Sequence, residues 1–268
     1  MKKFFILSNL AKKGEPMENV LVYLSIIHNG DWNKIYQDIL EKRPLDKEDI
    51  KKTVKEINVP FITLINNNYP QCLKRIFKPP FVLFYKGDIE LLNKEKKIAI
   101  IGSRENSEYG KESTQRVCKD LVKENVCIVS GLAKGIDSIA HQSCLENSGS
   151  TIAVLGNGLN VTYPKENEKL YKLIESKGLI LSEYPPNVLP EKDNFPKRNR
   201  IISGLSDGVV VIEAKEKSGT MNTVAHALED GKPIFCFPER AECNSGCNKL
   251  IKEGAKLVEN AKDILEEI

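Results

Sequence analysis

The sequence predicts an α/β protein: a doubly wound parallel sheet with helices on both faces, preceded by a small all-α domain. Two observations predict it. From residue 97 onward, short apolar runs rich in Val and Ile alternate with longer helix-periodic stretches, the pattern of repeated βα units. The glycines gather where those apolar runs end, at Gly102, Gly131, Gly135, Gly156, Gly158 and Gly219. Ligands of open α/β sheets bind at such strand ends.

The chain begins with a charged residue pair and an apolar run over residues 4–7 that stops at Ser8-Asn9, too short for a signal peptide or a membrane span. A cytoplasmic protein is expected. Val20, Leu21, Leu24 and Ile27 recur at helical spacing, and His28-Asn-Gly-Asp31 breaks the run. Asp31 is placed to cap a second helix carrying Trp32, Ile35, Ile39 and Leu40. Asp46 is placed to cap a third, with Ile50, Val54 and Ile57 inward. These helices make a first domain over residues 1–65, and the turn-rich Asn66-Asn-Asn-Tyr69-Pro70 marks the boundary with a second over 66–268. Residues 79–88 read as a strand ending in a turn. Further strands are predicted over 97–102, 126–130, 151–155, 179–182, 208–213 and 233–237. Helices are predicted over 109–124, 136–147, 166–177, 197–204, 220–230 and 259–267.

Forty basic residues nearly cancel 37 acidic ones, leaving a net charge of +3 over 268 residues, so the chain is no polycation and any nucleic-acid site must concentrate its cations locally. The seven cysteines are odd in number and mostly lie in apolar or helical stretches, which argues for reduced thiols. Cys243-x3-Cys247 has no second pair to complete a zinc site, and no metal is assigned. The loop after the first core strand is not Gly-x-Gly-x-x-Gly, and the chain has no Gly-x4-Gly-Lys-Ser/Thr, which excludes the common dinucleotide and P-loop classes.

Four strand ends carry chemistry. Gly102-Ser103-Arg104 offers a close backbone approach, a hydroxyl and a planar five-donor fork for phosphate; a turn whose arginine pairs with a nearby acid is the alternative. Around Ser130-Gly-Leu-Ala-Lys134-Gly135, backbone amides and Lys134 could hold an anion, or Asp137 could simply stabilise the first helical turn. Asp137 and His141 share a helix face at i and i+4, but no nucleophile is evidently held beside them, and no catalytic residue is assigned. After Gly156-Asn-Gly158, Tyr163-Pro-Lys165 sends a lysine toward the same cleft, with Tyr163 read as covering the sheet edge. Ser218-Gly219-Thr220 resembles an anion-holding helix start, and Glu213 reads as a structural hydrogen-bond acceptor. The densest signal is Lys192-Asp-Asn-Phe195-Pro-Lys197-Arg198-Asn-Arg200, four cations against one acid with an aromatic interleaved. Cations that follow a backbone while a ring stacks on a base hold single strands without sequence preference; a solvated charged face is the alternative.

Together these segments resemble the DprA/Smf family, the DNA-processing proteins of natural transformation, competence and recombination. The resemblance rests on the ordered set Pro79 to Gly87, Ile98-Ala-Ile-Ile-Gly-Ser-Arg104, Ser130 to His141, Gly158 to Lys165, Phe195 to Ser206, Ser218-Gly-Thr220 and Gly246 to Ala255, across roughly residues 69–258. It implies an extended Rossmann domain after a SAM-like helical domain. It further implies binding of single-stranded DNA without a cofactor, and a homodimer that loads RecA recombinase onto the strand. The DNA contacts it implies are Arg104, Lys165, Lys192 and Phe195; self-association is implied around Asn248, Leu250, Ile251 and Leu257. The chain departs from the family in two ways. Glu239, not glycine, follows Pro238, and the chain ends at Ile268 without the winged-helix domain that many members carry. The competing reading is a nucleotide-binding or nucleoside-monophosphate-cleaving enzyme of the lysine-decarboxylase-like Rossmann proteins. Their Pro-Gly-Gly-x-Gly-Thr-x-x-Glu signature is missing, and Ser218-Gly-Thr220 is its nearest trace.

Overall fold

Two aspartates open the structure's second and third helices. In the computed structural model, which describes residues 16–241 and 243–268, helix α1 (Met17–Ile27) is followed by α2 (Trp32–Glu41) and α3 (Lys47–Lys55). The Asp31 carboxylate accepts from the amides of Asn33 and Lys34 at 3.0 and 3.1 Å, and Asp46 accepts from Glu48 and Asp49 at 2.8 and 3.2 Å. Each satisfies amides that the first helical turn leaves unpaired. The apolar run over residues 4–7 lies outside the described residues.

The chain then runs through β1 (Phe61–Thr63), α4 (Gln71–Arg75), β2 (Val82–Gly87), a 3₁₀ turn (Ile89–Asn93), β3 (Lys97–Ile101), α5 (Glu108–Lys123), β4 (Cys127–Ser130), α6 (Ile136–Glu146) and β5 (Thr151–Leu155). After a second 3₁₀ turn (Lys165–Asn167) come α7 (Glu168–Lys177), β6 (Leu179–Ser182), α8 (Asn194–Leu205), β7 (Gly208–Val211), α9 (Thr220–Glu229), β8 (Ile234–Cys236), α10 (Gly246–Lys252), β9 (Lys256–Leu257) and α11 (Ala261–Leu265). The strands form one sheet in the order β1-β2-β6-β5-β4-β3-β7-β8-β9. From β6 to β9 every pairing is parallel, while β1 and β2 extend the β6 edge with antiparallel pairs.

Every residue of β3 to β7 is buried, which is why these strands read as unbroken apolar runs. Strand β3 faces two cores: Ala99 and Ile101 join one cluster, Ile98 and Ile100 the other. The first cluster continues through β2 and β6 into Leu21, Leu24, Ile35 and Ile50 of the leading helices, so those helices pack on the same core as the sheet. Strand β1, before residue 66, already belongs to that sheet. Ile27 and Leu40, read as inward from their spacing, are exposed.

The winding direction reverses at β3. The chain steps outward from it through β4, β5 and β6, then crosses back by α8 to place β7 on the other side of β3. Such a reversal leaves a crevice at the carboxyl ends of the strands. Gly102-Ser103-Arg104 leaves β3 at that point.

Helix α8 starts at Asn194, three residues before its predicted start, and takes Phe195 and Pro196 into its first turn. Proline is tolerated there because its missing N–H would have had no helical partner.

Candidate nucleic-acid interface

A groove of about 640 Å³ occupies this crevice, lined by Gly102, Ser103 and Arg104 after β3, Tyr163 after β5, Lys192 and Phe195 at the start of α8, and Lys215, Ser218 and Thr220 before α9. Residues up to 118 apart in sequence thus meet at one rim. Two loops hold the β5 side. The Gly158 amide donates to the Val188 carbonyl at 2.8 Å, and Asn160 N–H donates to Pro186 O at 2.8 Å. Asn157 donates through Nδ2 to Val161 O at 2.6 Å, and Ser182 Oγ donates to Asn157 O at 2.7 Å. A Cβ on Gly158 would sit 2.2 Å from the Pro185 carbonyl oxygen, so only glycine lets the loops close together. This zipper fixes Tyr163 relative to Lys192 and Phe195.

Phe195 lies over the end of β5, where a Cβ on Gly156 would come within 2.8 Å of its ring. Its centroid is 5.5 Å from that of Tyr163, which is 43% exposed, and the Arg104 guanidinium lies 5.8 Å from the Phe195 centroid. That separation is within cation–π range, so the ring that would receive a base also orients the fork that would receive a phosphate. Arg104 and Lys192 are exposed and have no ion-pair partner among the described residues. Lys215 approaches Glu105 only at 4.0 Å on an exposed surface, a contact of little consequence.

The other predicted cations are placed differently. Arg198 is 3% exposed and donates through Nη1 to the carbonyls of Gly131, at 2.9 Å, and Val154, bridging the ends of β4 and β5. A Cβ on Gly131 would lie 2.6 Å from that guanidinium, which accounts for the glycine. Burial lowers Arg198 to about 10, opposed by the neighbouring Asp137 carboxylate. Arg200 is 6% exposed and makes two 2.6 Å contacts with the Glu183 carboxylate, together with bonds to Lys78 O and Lys197 O. Burial alone would lower its pKa; Glu183 outweighs it and the net direction is upward. Arg200 therefore moves from the predicted phosphate contacts into the scaffold, engaged on all three guanidinium nitrogens, whereas Arg198 borders the groove but commits its Nε and Nη1 to the scaffold. Lys134 turns to Glu166 at 2.5 Å and does not line the groove. Lys165, exposed two residues after Tyr163, stands outside the groove's lining, and Lys197 lines a different groove. Gly102 is dictated by packing: a Cβ there would lie 2.6 Å from Ile136 and 2.9 Å from Glu213 O.

Helix α9 begins at Thr220 with no side-chain cap, and Ser218 Oγ is buried with no hydrogen-bond partner among the described residues. An oxyanion in the groove would meet that hydroxyl; the Met221 and Asn222 amides already donate to the Ser218 and Gly219 carbonyls, each at 3.2 Å. The Asp137–His141 face is not a catalytic pair. Asp137 accepts from the Gly131 and Ala133 amides, whereas His141 is buried with Nδ1 2.7 Å from Thr151 Oγ1, and burial drives its pKa down to about 3. The Glu213 carboxylate accepts from Ser107 N at 3.0 Å and Ser107 Oγ at 2.8 Å, the structural role its sequence position suggested. Cys247 is buried beside Cys236 while Cys243 is exposed, and no cluster of three or more metal-ligating side chains occurs among the described residues. No described helix is long and apolar enough to cross a membrane.

At the predicted self-association surface, Leu250 is buried in the core and is withdrawn as a contact. Asn248 is committed to Glu239, accepting from its amide at 3.0 Å and donating to its carbonyl at 2.8 Å. The Pro238-Glu239 loop is thereby held without the family's glycine. Ile251 is half-buried and Leu257 is 47% exposed. Tyr163, read as covering the sheet edge, and Lys215 are groove residues that sequence reasoning missed; for Tyr163, an aromatic directly before the Pro-Lys of a strand-end loop was the available signal.

Residues 60–268 match the family described as DNA recombination-mediator protein A. The chain belongs to this family. It is 41% identical over 271 residues to the DNA processing protein DprA of Streptococcus pneumoniae, covering 96% of this chain and 95% of that one. With the Bacillus subtilis DprA it shares 43% identity over 216 residues, 80% of this chain and 73% of the relative. The solved S. pneumoniae DprA structure superposes with a TM-score of 0.77 over 99% of this chain and 97% of its own, at 38% identity. A Helicobacter pylori DprA structure, whose description concerns a single-stranded DNA binding mode, superposes with a TM-score of 0.71 at 35% identity, over 78% of this chain and 95% of that one.

Proposed function

We propose that this member of the family binds single-stranded DNA in the switch-point groove and turns over no substrate. The observation that carries the proposal is the convergence of Arg104, Lys192, Phe195 and Tyr163 on one rim: two unpaired cations beside two rings. Cations hold phosphates, and the two rings, Tyr163 exposed and Phe195 half-buried, stack bases of any identity. The Ser218 hydroxyl ahead of α9 adds a neutral donor that sets register. The Helicobacter pylori relative, with its single-stranded DNA binding mode, supports the same reading. The engagement of Glu213 with Ser107 and the burial of His141 leave neither poised for acid–base work, which favours binding over nucleotide cleavage. Lys165 extends the cationic path beyond Tyr163.

In this reading the bound strand is protected and passed to RecA by a homodimer whose contact includes Ile251 and Leu257. Sedimentation of a Leu257→Asp variant and a RecA filament-nucleation assay on coated DNA test those two parts. The primary test is fluorescence anisotropy with labelled oligo-dT. Arg104→Ala with Lys192→Ala should weaken binding at least tenfold and flatten its salt dependence by about 1.4 in log–log slope, at about 0.7 per single-strand phosphate. Unchanged affinity in a folded double variant would falsify the site.

A further inference from the structure

A second groove, of about 560 Å³, lies between the leading helices and helices α8 and α9. It meets the first at Pro196 and Asn222, which line both. Phe77 lines it and is 65% exposed, the environment of a ring that covers nothing in this chain. Lys78 Nζ stands 5.3 Å from the Phe77 ring centroid, and Lys34 and Lys197 line the same groove. Most of its acids are already engaged. Asp31 caps α2, and Glu183 is paired with Arg200; Glu191 is the exposed acid of the lining. The second groove thus repeats the composition of the first, an exposed ring among lysines, and opens onto it across the first turn of α8.

We infer that a single strand longer than the first groove continues past Pro196 into this second groove, where Phe77 stacks a further base and Lys34, Lys78 and Lys197 hold its phosphates. The inference rests on the proposed function of the first groove. It makes the leading helices part of the DNA path, because Lys34 belongs to α2, and it gives Lys197 a place that the first groove does not.

The test compares oligo-dT of about 4 and about 16 nucleotides, the two ends of the range of single-strand site sizes. Phe77→Ala, an exposed position remote from the core, should lose roughly tenfold affinity for the longer strand while keeping parental affinity for the shorter, as expected for one lost stacking contact. Lys34→Ala should show the same length selectivity and reduce the salt slope for the longer strand alone. Equal losses at both lengths, or no loss for the longer strand in variants with parental melting curves, would overturn the inference. The Arg104→Ala, Lys192→Ala variant separates the two claims: short-strand binding that survives in it refutes the first groove, whatever Phe77→Ala does.

Discussion

Replacing Phe195 by alanine separates stacking from charge in the first groove. The ring rests on Gly156, touches Tyr163 and lies under Arg104, so it contributes an aromatic face and no formal charge. Stacking of one base on an aromatic side chain contributes about 1–3 kcal/mol. Loss of the cation–π contact that orients Arg104 adds about 0.5 kcal/mol at an exposed site. Phe195→Ala should therefore weaken oligo-dT binding by about 2 kcal/mol, roughly 30-fold in Kd. The loss should be nearly the same at every salt concentration, because no phosphate contact leaves with the ring. Lys192→Ala should behave the opposite way: a moderate loss at low salt that shrinks as salt rises, with the slope of log K against log salt reduced by about 0.7. Phe195→Leu should fall between, retaining apolar area without a π face.

The assay is an anisotropy titration of each variant against labelled oligo-dT at four or more salt concentrations, with thermal melts to confirm folding. The decisive quantity is which parameter moves, intercept or slope. If Phe195→Ala flattens the salt slope as much as Lys192→Ala does, the ring acts only by holding Arg104 and base stacking is excluded. If it changes neither parameter in a folded protein, the rings are not part of the interface.

Two further predictions concern the scaffold under the groove. Glu183→Gln leaves the buried Arg200 guanidinium without its counter-charge, a disruption that costs about 3–5 kcal/mol, and should lower the melting temperature by roughly 10 °C; a melt within error of the parent would show that the pair contributes little. His141 is buried neutral with its pKa lowered to about 3, so between that value and the unfolded pKa near 6.5 the unfolded chain binds a proton that the folded one refuses. Its contribution to stability is complete above pH 6.5 and falls as the pH drops, by about 2 kcal/mol at pH 5. Asp137 is shifted in the opposite sense by burial, and its effect has the opposite sign just above the ordinary carboxylate range. Denaturant titrations of His141→Asn at pH 7 and pH 5 should show a clearly smaller pH-dependent loss than the parent, and an equal loss in both would refute the assignment.

What the sequence revealed and what it concealed follow from the same physics. Strands buried on both faces must be apolar throughout, so β3 to β8 could be located within a residue or two without any partner in view. The caps of α2 and α3 were legible because an aspartate ahead of an amphipathic run has one local use. The short elements β1, α4 and α10 were missed because three to seven residues do not complete enough of a period to show one. Arg198 and Arg200 were misplaced for a different reason. A linear count of charge sees four cations in nine residues, whereas a helix sorts them by angle. Arg198 falls at i to Ile201, Ile202 and Leu205 at i+3, i+4 and i+7, all buried, and that spacing already placed its guanidinium under the helix. Lys197, one position earlier, turns outward. The cationic character of the interface therefore does not come from the basic run of α8 itself. It comes from Arg104, Lys192 and Lys215, exposed on three separate loops, the first two 88 residues apart in sequence, and gathered at the crevice where the winding of the sheet reverses.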